Sequence, residues 1–422
     1  MSLRIHLSTL GCRVNQSETE DMARQLAAAG HVLVRDPARA DLLLVNTCAV
    51  TSEAERKSRH RLRALGRANP SAHIVAVGCA ATLDPQGLAG LPGVLQVLPN
   101  AAKERIADVA AVVPCSPAGP TCAGDEKRAT PRTRALVKVQ DGCDQRCTYC
   151  IVPRLRGPAR SRPVEEVLLQ VSQRVAAGCR EIVLTGVNLS AYGRDLGLEQ
   201  GLTRLVEAIL AQTALPRLRL SSVEPWGLDD DFFALWADRR LCRQLHLPLQ
   251  AGCDETLRRM GRRTTTAEYA RLVQAARAAA PDLALTTDLL VGFPGEDEPA
   301  FAESAAFVER MGFARLHVFP FSPRPGTPAA RMAGQVSPAV RWERARRMQA
   351  LGARLAEQFG ERFVGQEMNV LWERVRADGL WVGLTDNYLR VVACSPTTLH
   401  NRITATRLIA TRKEILIGEV QE

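Results

Sequence analysis

Three cysteines stand within one short segment, Gly142-Cys143-Asp-Gln-Arg-Cys147-Thr-Tyr149-Cys150, separated by three and by two residues. Thiolates are soft ligands, and three of them can hold three irons of a 4Fe-4S cluster while the fourth iron keeps no protein ligand. An iron left open in this way can take a substrate. It is what the amino and carboxylate groups of S-adenosylmethionine need if they are to chelate metal while the sulfonium receives an electron. Structural zinc wants a closed tetrahedral set, and no fourth Cys or His lies close by in sequence. Cys143, Cys147 and Cys150 are therefore expected to hold a cluster that cleaves S-adenosylmethionine.

A second set is dispersed: Cys12 in Ser8-Thr-Leu-Gly-Cys12, Cys48 in Val45-Asn-Thr-Cys48 and Cys79 in Val77-Gly-Cys79. Each follows the end of a short apolar run. If those runs are neighbouring strands of a parallel sheet, their carboxyl ends share one edge and the three thiols converge there. Equivalent placement after three strands favours a second three-thiolate cluster over three cysteines that merely pack as small apolar residues.

Alternating strand and helix patterns place these residues. Apolar runs at 4–9, 41–46 and 73–77, with helical periodicity over 18–29 and 53–65, predict an α/β domain with a parallel sheet at 1–114. A Pro- and Gly-rich linker is expected at 115–133. From 134 to 360, strand candidates at 136–140, 181–185, 217–221, 244–247, 284–290 and 315–319 alternate with helical segments and predict a partial (β/α)6 barrel. Chemistry in such folds collects at the carboxyl ends of the strands. Asp141, Thr185, Asn188, Ser221, Ser222, Glu224, His246, Gln250 and Asp288 fall there. A basic helix over 340–359 leads to short strands at 368–372, 380–384, 389–393 and 415–420, which predict a small β-barrel at 361–422.

The chain of 422 residues carries a formal charge of +10 and a pI near 9.2, with arginine in excess. That balance suits planar, bidentate recognition of a polyanion's phosphates. Between residues 127 and 163 ten basic residues face two acidic ones. No apolar run approaches the roughly 18 residues that cross a bilayer, so a cytoplasmic protein with no membrane partner is expected. Twelve cysteines in such a chain point to metal or redox chemistry rather than a disulfide framework.

Beyond these residues, Thr9-Leu-Gly-Cys12-Arg-Val-Asn15-Gln-Ser-Glu18, Asn46-Thr-Cys48, Arg160-Ser-Arg-Pro163, Leu184-Thr-Gly-Val-Asn188, His246-Leu-Pro-Leu-Gln250 and Val291-Gly-Phe-Pro-Gly-Glu296, with the motif at Cys143, resemble the methylthiotransferase family of radical-SAM enzymes over nearly the whole chain. Gln140-Asp-Gly-Cys143, Ser221-Ser-Val-Glu-Pro225, His317-Val-Phe-Pro320 and Pro325-Gly-Thr-Pro328 are most similar to the branch acting on N6-threonylcarbamoyladenosine in tRNA. The resemblance implies two 4Fe-4S clusters, the second on Cys12, Cys48 and Cys79 with an open iron carrying the sulfur. It also implies a C-terminal TRAM-like barrel that grips RNA. One S-adenosylmethionine would methylate the sulfur, and another would yield the 5′-deoxyadenosyl radical that attacks adenine C2. Tyr149, Thr185, Gly186, Asn188, Ser222, Glu224, His246, Gln250, Asp288 and Gly292 are expected around S-adenosylmethionine, and Arg154, Arg156, Arg160 and Arg162 along the RNA phosphates. An electron-donor protein and a sulfur source complete the expected partners.

Isopentenyladenosine in tRNA or a ribosomal protein side chain is the alternative substrate. A nucleic-acid-binding protein with purely structural clusters is disfavoured, because structural clusters are normally fully ligated. Cys253 stands where the family has a small hydroxyl residue and is expected to serve as a neutral substitute. Cys115 and Cys122 are expected as linker thiols, and Cys179, Cys242 and Cys394 as core residues. Trp226 and Trp342 are expected in packing roles, whereas Trp372 and Trp381 on the small barrel could alternatively stack bases.

Overall fold

A computed structural model describes residues 2–111, 113 and 133–421, which divide into two compact units. Nearly all of the expected linker, with Cys115 and Cys122, lies outside the described residues.

The first unit is a five-stranded parallel sheet. Its strands are β1 (Arg4–Thr9), β2 (Val32–Leu33), β3 (Leu42–Thr47), β4 (His73–Gly78) and β5 (Val94–Leu98), in the order β2-β1-β3-β4-β5. The helices are α1 (Arg13–Ala28), α2 (Ser52–Ala68), α3 (Cys79–Leu83), α4 (Pro85–Ala89) and α5 (Ile106–Ala111). Every residue of β3 is buried, as a parallel strand covered on both faces requires. The register sets Thr9 beside Asn46 and Thr47 beside Gly78, so β1, β3 and β4 end together.

The loop carrying Cys143, Cys147 and Cys150 also packs in this unit, as residues 141–158, together with residues 322–327. Hydrophobic burial explains the attachment: α6 (Val152–Arg156) and the residue before it put Ile151 and Leu155 into the same apolar cluster as Ala80, Ala81 and Leu88. In sequence the loop is bracketed by the two-residue strands β7 (Gln140–Asp141) and β8 (Arg160–Ser161), which follow β6 (Arg134–Lys138).

The second unit contains six parallel strands: β6, β9 (Glu181–Thr185), β10 (Arg217–Leu220), β11 (Gln244–His246), β12 (Ala284–Val291) and β13 (Arg315–Pro320). Two three-stranded sheets, β10-β9-β6 and β11-β12-β13, are joined by the bridges Leu218–Leu241 and Ser222–His246. The result is the open six-stranded barrel predicted from the sequence. Its helices are α7 (Val164–Ala176), α8 (Gly201–Gln212), α9 (Asp230–Ala234), α10 (Asp254–Arg259), α11 (Thr266–Ala279), α12 (Glu298–Met311) and α13 (Pro338–Glu361). A capping box of Thr265 and Glu268 starts α11, and Ser337 followed by proline starts α13.

The C-terminal strands β14 (Glu367–Val375), β15 (Trp381–Thr385), β16 (Arg390–Ala393), β17 (Ile403–Arg412) and β18 (Ile415–Val420) close a barrel in the order β14-β15-β16-β18-β17. Trp372 and Trp381 fill its core, and the Trp372 indole N–H donates to Thr404 Oγ1 at 2.8 Å. Neither ring is presented for base stacking, which corrects that alternative. Cys394, expected in the core, is exposed just past the end of β16. Cys179 and Cys242 are buried as expected. Trp342 lies 60% exposed on α13, not packed. Among the described residues no helix is long and apolar enough to cross a membrane.

Candidate active site

The carboxyl ends of β1, β3 and β4 carry Cys12, Cys48 and Cys79. Cys12 is exposed, whereas Cys48 and Cys79 are buried. Burial pushes the Cys48 thiol up to about 11; the neighbouring Cys79 and Cys12 push the same way, and Arg156 opposes. The Cys12 and Cys79 thiols therefore both lie within electrostatic reach of Cys48. Backbone geometry brings them there. Gly11 has φ +99°, and a Cβ on it would sit 2.8 Å from the Cys48 Sγ. Gly78 has φ +101°, and a Cβ there would fall 2.5 Å from Asn46 Oδ1. Both positions need glycine.

Side chains pin the rim. Asn15 Nδ2 donates to the carbonyls of Leu10 at 2.8 Å and Thr47 at 3.0 Å. Ser58 Oγ donates to the Cys48 carbonyl at 2.9 Å and accepts from its N–H at 3.0 Å. Asn100 Nδ2 lies 3.6 Å from Cys79 Sγ, while its Oδ1 and that of Asn46 are buried without a hydrogen-bond partner among the described residues. Among those residues no three His, Cys, Asp or Glu close around a single ion. Three soft thiol donors with a side-chain-free glycine beside them fit an iron–sulfur cluster.

The other set sits on a loop that needs glycine at its entrance. Gly142 has φ +69°, and a Cβ on it would lie 1.9 Å from the Pro158 carbonyl oxygen. The Cys143 N–H donates to the Gly157 carbonyl at 3.1 Å, and the Gln145 N–H points at Cys143 Sγ at 3.4 Å. Backbone donors aimed at sulfur are the usual company of a cluster thiolate. Tyr149 lies half-buried in the same loop.

Arg156 does not fit the phosphate contact expected of it. Its side chain is 3% exposed, with Nη1 at 2.9 Å from Glu18 and 2.7 Å from Asp141, and Nη2 at 2.6 Å from Asn15 Oδ1. A guanidinium spent on two carboxylates is not available to RNA. Lys103 also meets Glu18, and its ammonium is pulled down by burial and raised again by that carboxylate. Arg154 and Arg160 remain exposed and Arg162 is half-buried. Arg154 also donates to the Pro325 carbonyl at 3.2 Å. Sequence reasoning missed the roles of Glu18, Asn100 and Lys103. Glu18 belongs to the quoted Cys12 motif, so a signal for it existed; the isolated Lys103 offered none.

In the second unit, the strand ends assemble a polar mouth. His246 Nδ1 lies 2.9 Å from Thr286 Oγ1 and its Nε2 lies 3.3 Å from Asp288 Oδ1, with the His317 ring edge-on at 5.6 Å. Gln250, at φ +73°, donates its N–H to the Asp288 carbonyl at 2.8 Å. Gln140 Oε1 accepts from the Asn188 N–H at 2.8 Å and would meet a Cβ on Gly186 at 3.0 Å; Thr185 is buried beside them in the strand. Ser222 bridges to His246, and the neighbouring Ser221 Oγ is buried without a partner among the described residues. Glu224 accepts from Arg262 at 2.7 Å, and that guanidinium lies over Trp226 at 4.7 Å. Gly292, just past the end of β12, lies against the stem of Arg341, with its N–H on Glu296 at 2.8 Å. Cys253 is buried, and its thiol is pushed up by burial and by a bond to Glu303 of α12, which keeps it neutral.

Residues 4–98 match the profile of the uncharacterized protein family UPF0004, and residues 137–308 that of the Radical SAM superfamily. The chain is 37% identical over 395 residues to the threonylcarbamoyladenosine tRNA methylthiotransferase MtaB of Thermotoga maritima, covering 92% of this chain and 90% of that protein. It is 35% identical over 418 residues to the protein of the same name from Bacillus subtilis, covering 95% and 92%. Among solved structures, the radical S-adenosylmethionine methyltransferase TsrM of Kitasatospora setae superposes with a TM-score of 0.56 at 16% identity, over 78% of this chain and 75% of that one. That likeness concerns the fold.

Proposed function

Because the chain belongs to the methylthiotransferase family of radical-SAM enzymes, we propose that it converts N6-threonylcarbamoyladenosine next to the tRNA anticodon into its 2-methylthio derivative. The observation that carries this reading is the convergence of Cys12, Cys48 and Cys79 at one edge of a parallel sheet, in a unit that also holds Cys143, Cys147 and Cys150. The substrate is the one for which the two relatives above are named, and the motifs around Cys143, Ser221 and His317 agree with that branch.

In this reading both cysteine sets hold 4Fe-4S clusters: when bound, the one at Cys143, Cys147 and Cys150 supplies the electron that cleaves S-adenosylmethionine, and the other presents the sulfur. An aromatic C–H has no useful acidity, so activating it calls for cofactor chemistry rather than a polar acid–base pair. The protein's own contribution is binding and orientation. Gln140, Thr185, Gly186 and Asn188 shape one side of the mouth that receives S-adenosylmethionine, and His246, Gln250 and Asp288 the other. Glu224 is held by Arg262, whose remaining face is covered by Trp226. Exposed Arg160, with Arg154 and Arg162, takes RNA phosphates and so positions the strand without reading its sequence. Three functional domains, at 1–114, 134–360 and 361–422, divide this work in the cytoplasm with an electron-donor protein and a sulfur source.

Anaerobically reconstituted enzyme, given S-adenosylmethionine, reductant and tRNA carrying either threonylcarbamoyladenosine or isopentenyladenosine, tests the assignment. Methylthiolation of the first alone supports it, and methylthiolation of the second alone transfers the chain to the other branch.

A further inference from the structure

A buried path of short hydrogen bonds joins the two cysteine sets, and Arg156 is its centre. On one side, Nη1 donates to Asp141 Oδ1 at 2.7 Å, and the same carboxylate oxygen accepts from the Gly142 N–H at 2.8 Å, one residue before Cys143. On the other, Nη2 donates to Asn15 Oδ1 at 2.6 Å, while Asn15 Nδ2 holds the carbonyls of Leu10 and Thr47 at 2.8 and 3.0 Å. Thr47 adjoins Cys48, and Leu10 precedes Cys12 by two residues. Glu18 completes the fork, accepting from Nη1 at 2.9 Å and from Nη2 at 3.2 Å. The Arg156 and Glu18 side chains are 3% and 6% exposed, and the Lys103 side chain, on the same carboxylate, is 8% exposed. The planar guanidinium holds its donors in a fixed fork that meets Asp141, Glu18 and Asn15 together, a spread that the compact ammonium of lysine does not reproduce.

The charges matter as well as the bonds. Arg156 and Lys103 both lie within electrostatic reach of Cys79, and Arg156 within reach of Cys48. In a dry interior such charges act strongly, and net charge beside an iron–sulfur cluster is one of the levers on its reduction potential.

We propose that Arg156 is a positioning residue that ties the Cys143–Cys150 loop to the rim of Cys12, Cys48 and Cys79 and holds positive charge beside Cys48 and Cys79. The inference rests on the two-cluster reading given above. Its consequence is that the two halves of the reaction stay coupled: the loop serving S-adenosylmethionine and the edge presenting sulfur keep one spacing because a single side chain spans them.

The test compares the full-length holoenzyme with Arg156→Gln, Arg156→Lys and Glu18→Gln. Two readouts are followed: the reduction potential of the N-terminal cluster by electron paramagnetic resonance, and the ratio of methylthiolated nucleoside to 5′-deoxyadenosine. Arg156→Gln is expected to make the potential more negative and to lower the ratio roughly tenfold. Arg156→Lys restores the potential and leaves the ratio low, because charge returns without the fork. Glu18→Gln shifts the potential the opposite way, to a more positive value. A merely structural salt bridge would alter stability or iron content and leave these signs unexplained. An unmoved potential and ratio in Arg156→Gln overturn the proposal. Should that variant not fold, a negative shift in Glu18→Gln or a parental ratio in Arg156→Lys overturns it instead. A parent enzyme holding about four irons per chain sinks the two-cluster reading and this proposal with it; about eight irons with an unmoved potential sink the proposal alone.

Discussion

Replacing Gly11 by alanine places a methyl group where the N-terminal thiols meet. The residue sits at φ +99°, where an L side chain strains the backbone, and the new Cβ would lie 2.8 Å from both Cβ and Sγ of Cys48 and 3.3 Å from Asn15 Nδ2. The backbone part costs about 1–3 kcal/mol. The steric part resembles overpacking of a dense core and costs about 1–3 kcal/mol more. Gly30 supplies the control: its φ is +87°, but nothing lies within 4 Å of its Cβ position, so Gly30→Ala carries the backbone cost alone. Denaturant unfolding of both variants, side by side, should show Gly11→Ala the less stable by about 1–3 kcal/mol. Because the clash falls on Cys48, Gly11→Ala should also lose iron after reconstitution, whereas Gly30→Ala should not. Equal stability and equal iron in the two variants would refute the claim that Gly11 makes room beside the Cys48 thiol.

Changing Cys143, Cys147 or Cys150 singly to alanine should abolish 5′-deoxyadenosine formation, measured by chromatography of the reaction; normal production in any one variant contradicts its ligand role. Replacing Cys12, Cys48 and Cys79 together should leave about half the iron and a protein that still cleaves S-adenosylmethionine but transfers no sulfur, with unchanged iron as the contrary result. Arg160→Ala with Arg162→Ala should weaken tRNA binding and flatten the slope of log affinity against log salt by roughly one to two units; an identical slope would return these residues to a solvated face.

Much of this architecture was legible because its signals are local. The apolar runs at 42–45 in β3 and 74–77 in β4, the alternating Ile5 and Leu7 of β1, and a cysteine within three residues of each strand's end already point to one edge. The six barrel strands were legible for the same reason. By contrast β17, among the longest strands, was not read, because its inward positions include Thr406 and its outward ones Arg407 and Arg412, so apolar alternation is faint. Arg156 was misread because its neighbours in sequence are basic, and only the fold brings Glu18 and Asp141 to it from distant positions. Trp372 and Trp381 are similar cases: strand position alone does not tell which face of a small closed barrel a ring occupies, and burial in the C-terminal core decides it. Cys394 shows the converse, an apolar residue stranded by the end of its strand.

The proposed activity changes one nucleoside, which mass-spectrometric nucleoside analysis measures in tRNA from cells lacking this protein and from the same cells supplied with the parent chain or its Cys12, Cys48 and Cys79 triple variant. 2-Methylthio-N6-threonylcarbamoyladenosine should disappear, its unthiolated precursor should accumulate, and the parent chain but not the triple variant should restore it. Unchanged 2-methylthio-N6-threonylcarbamoyladenosine in the deficient cells would contradict the account, all the more if 2-methylthio-isopentenyladenosine were lost in its place.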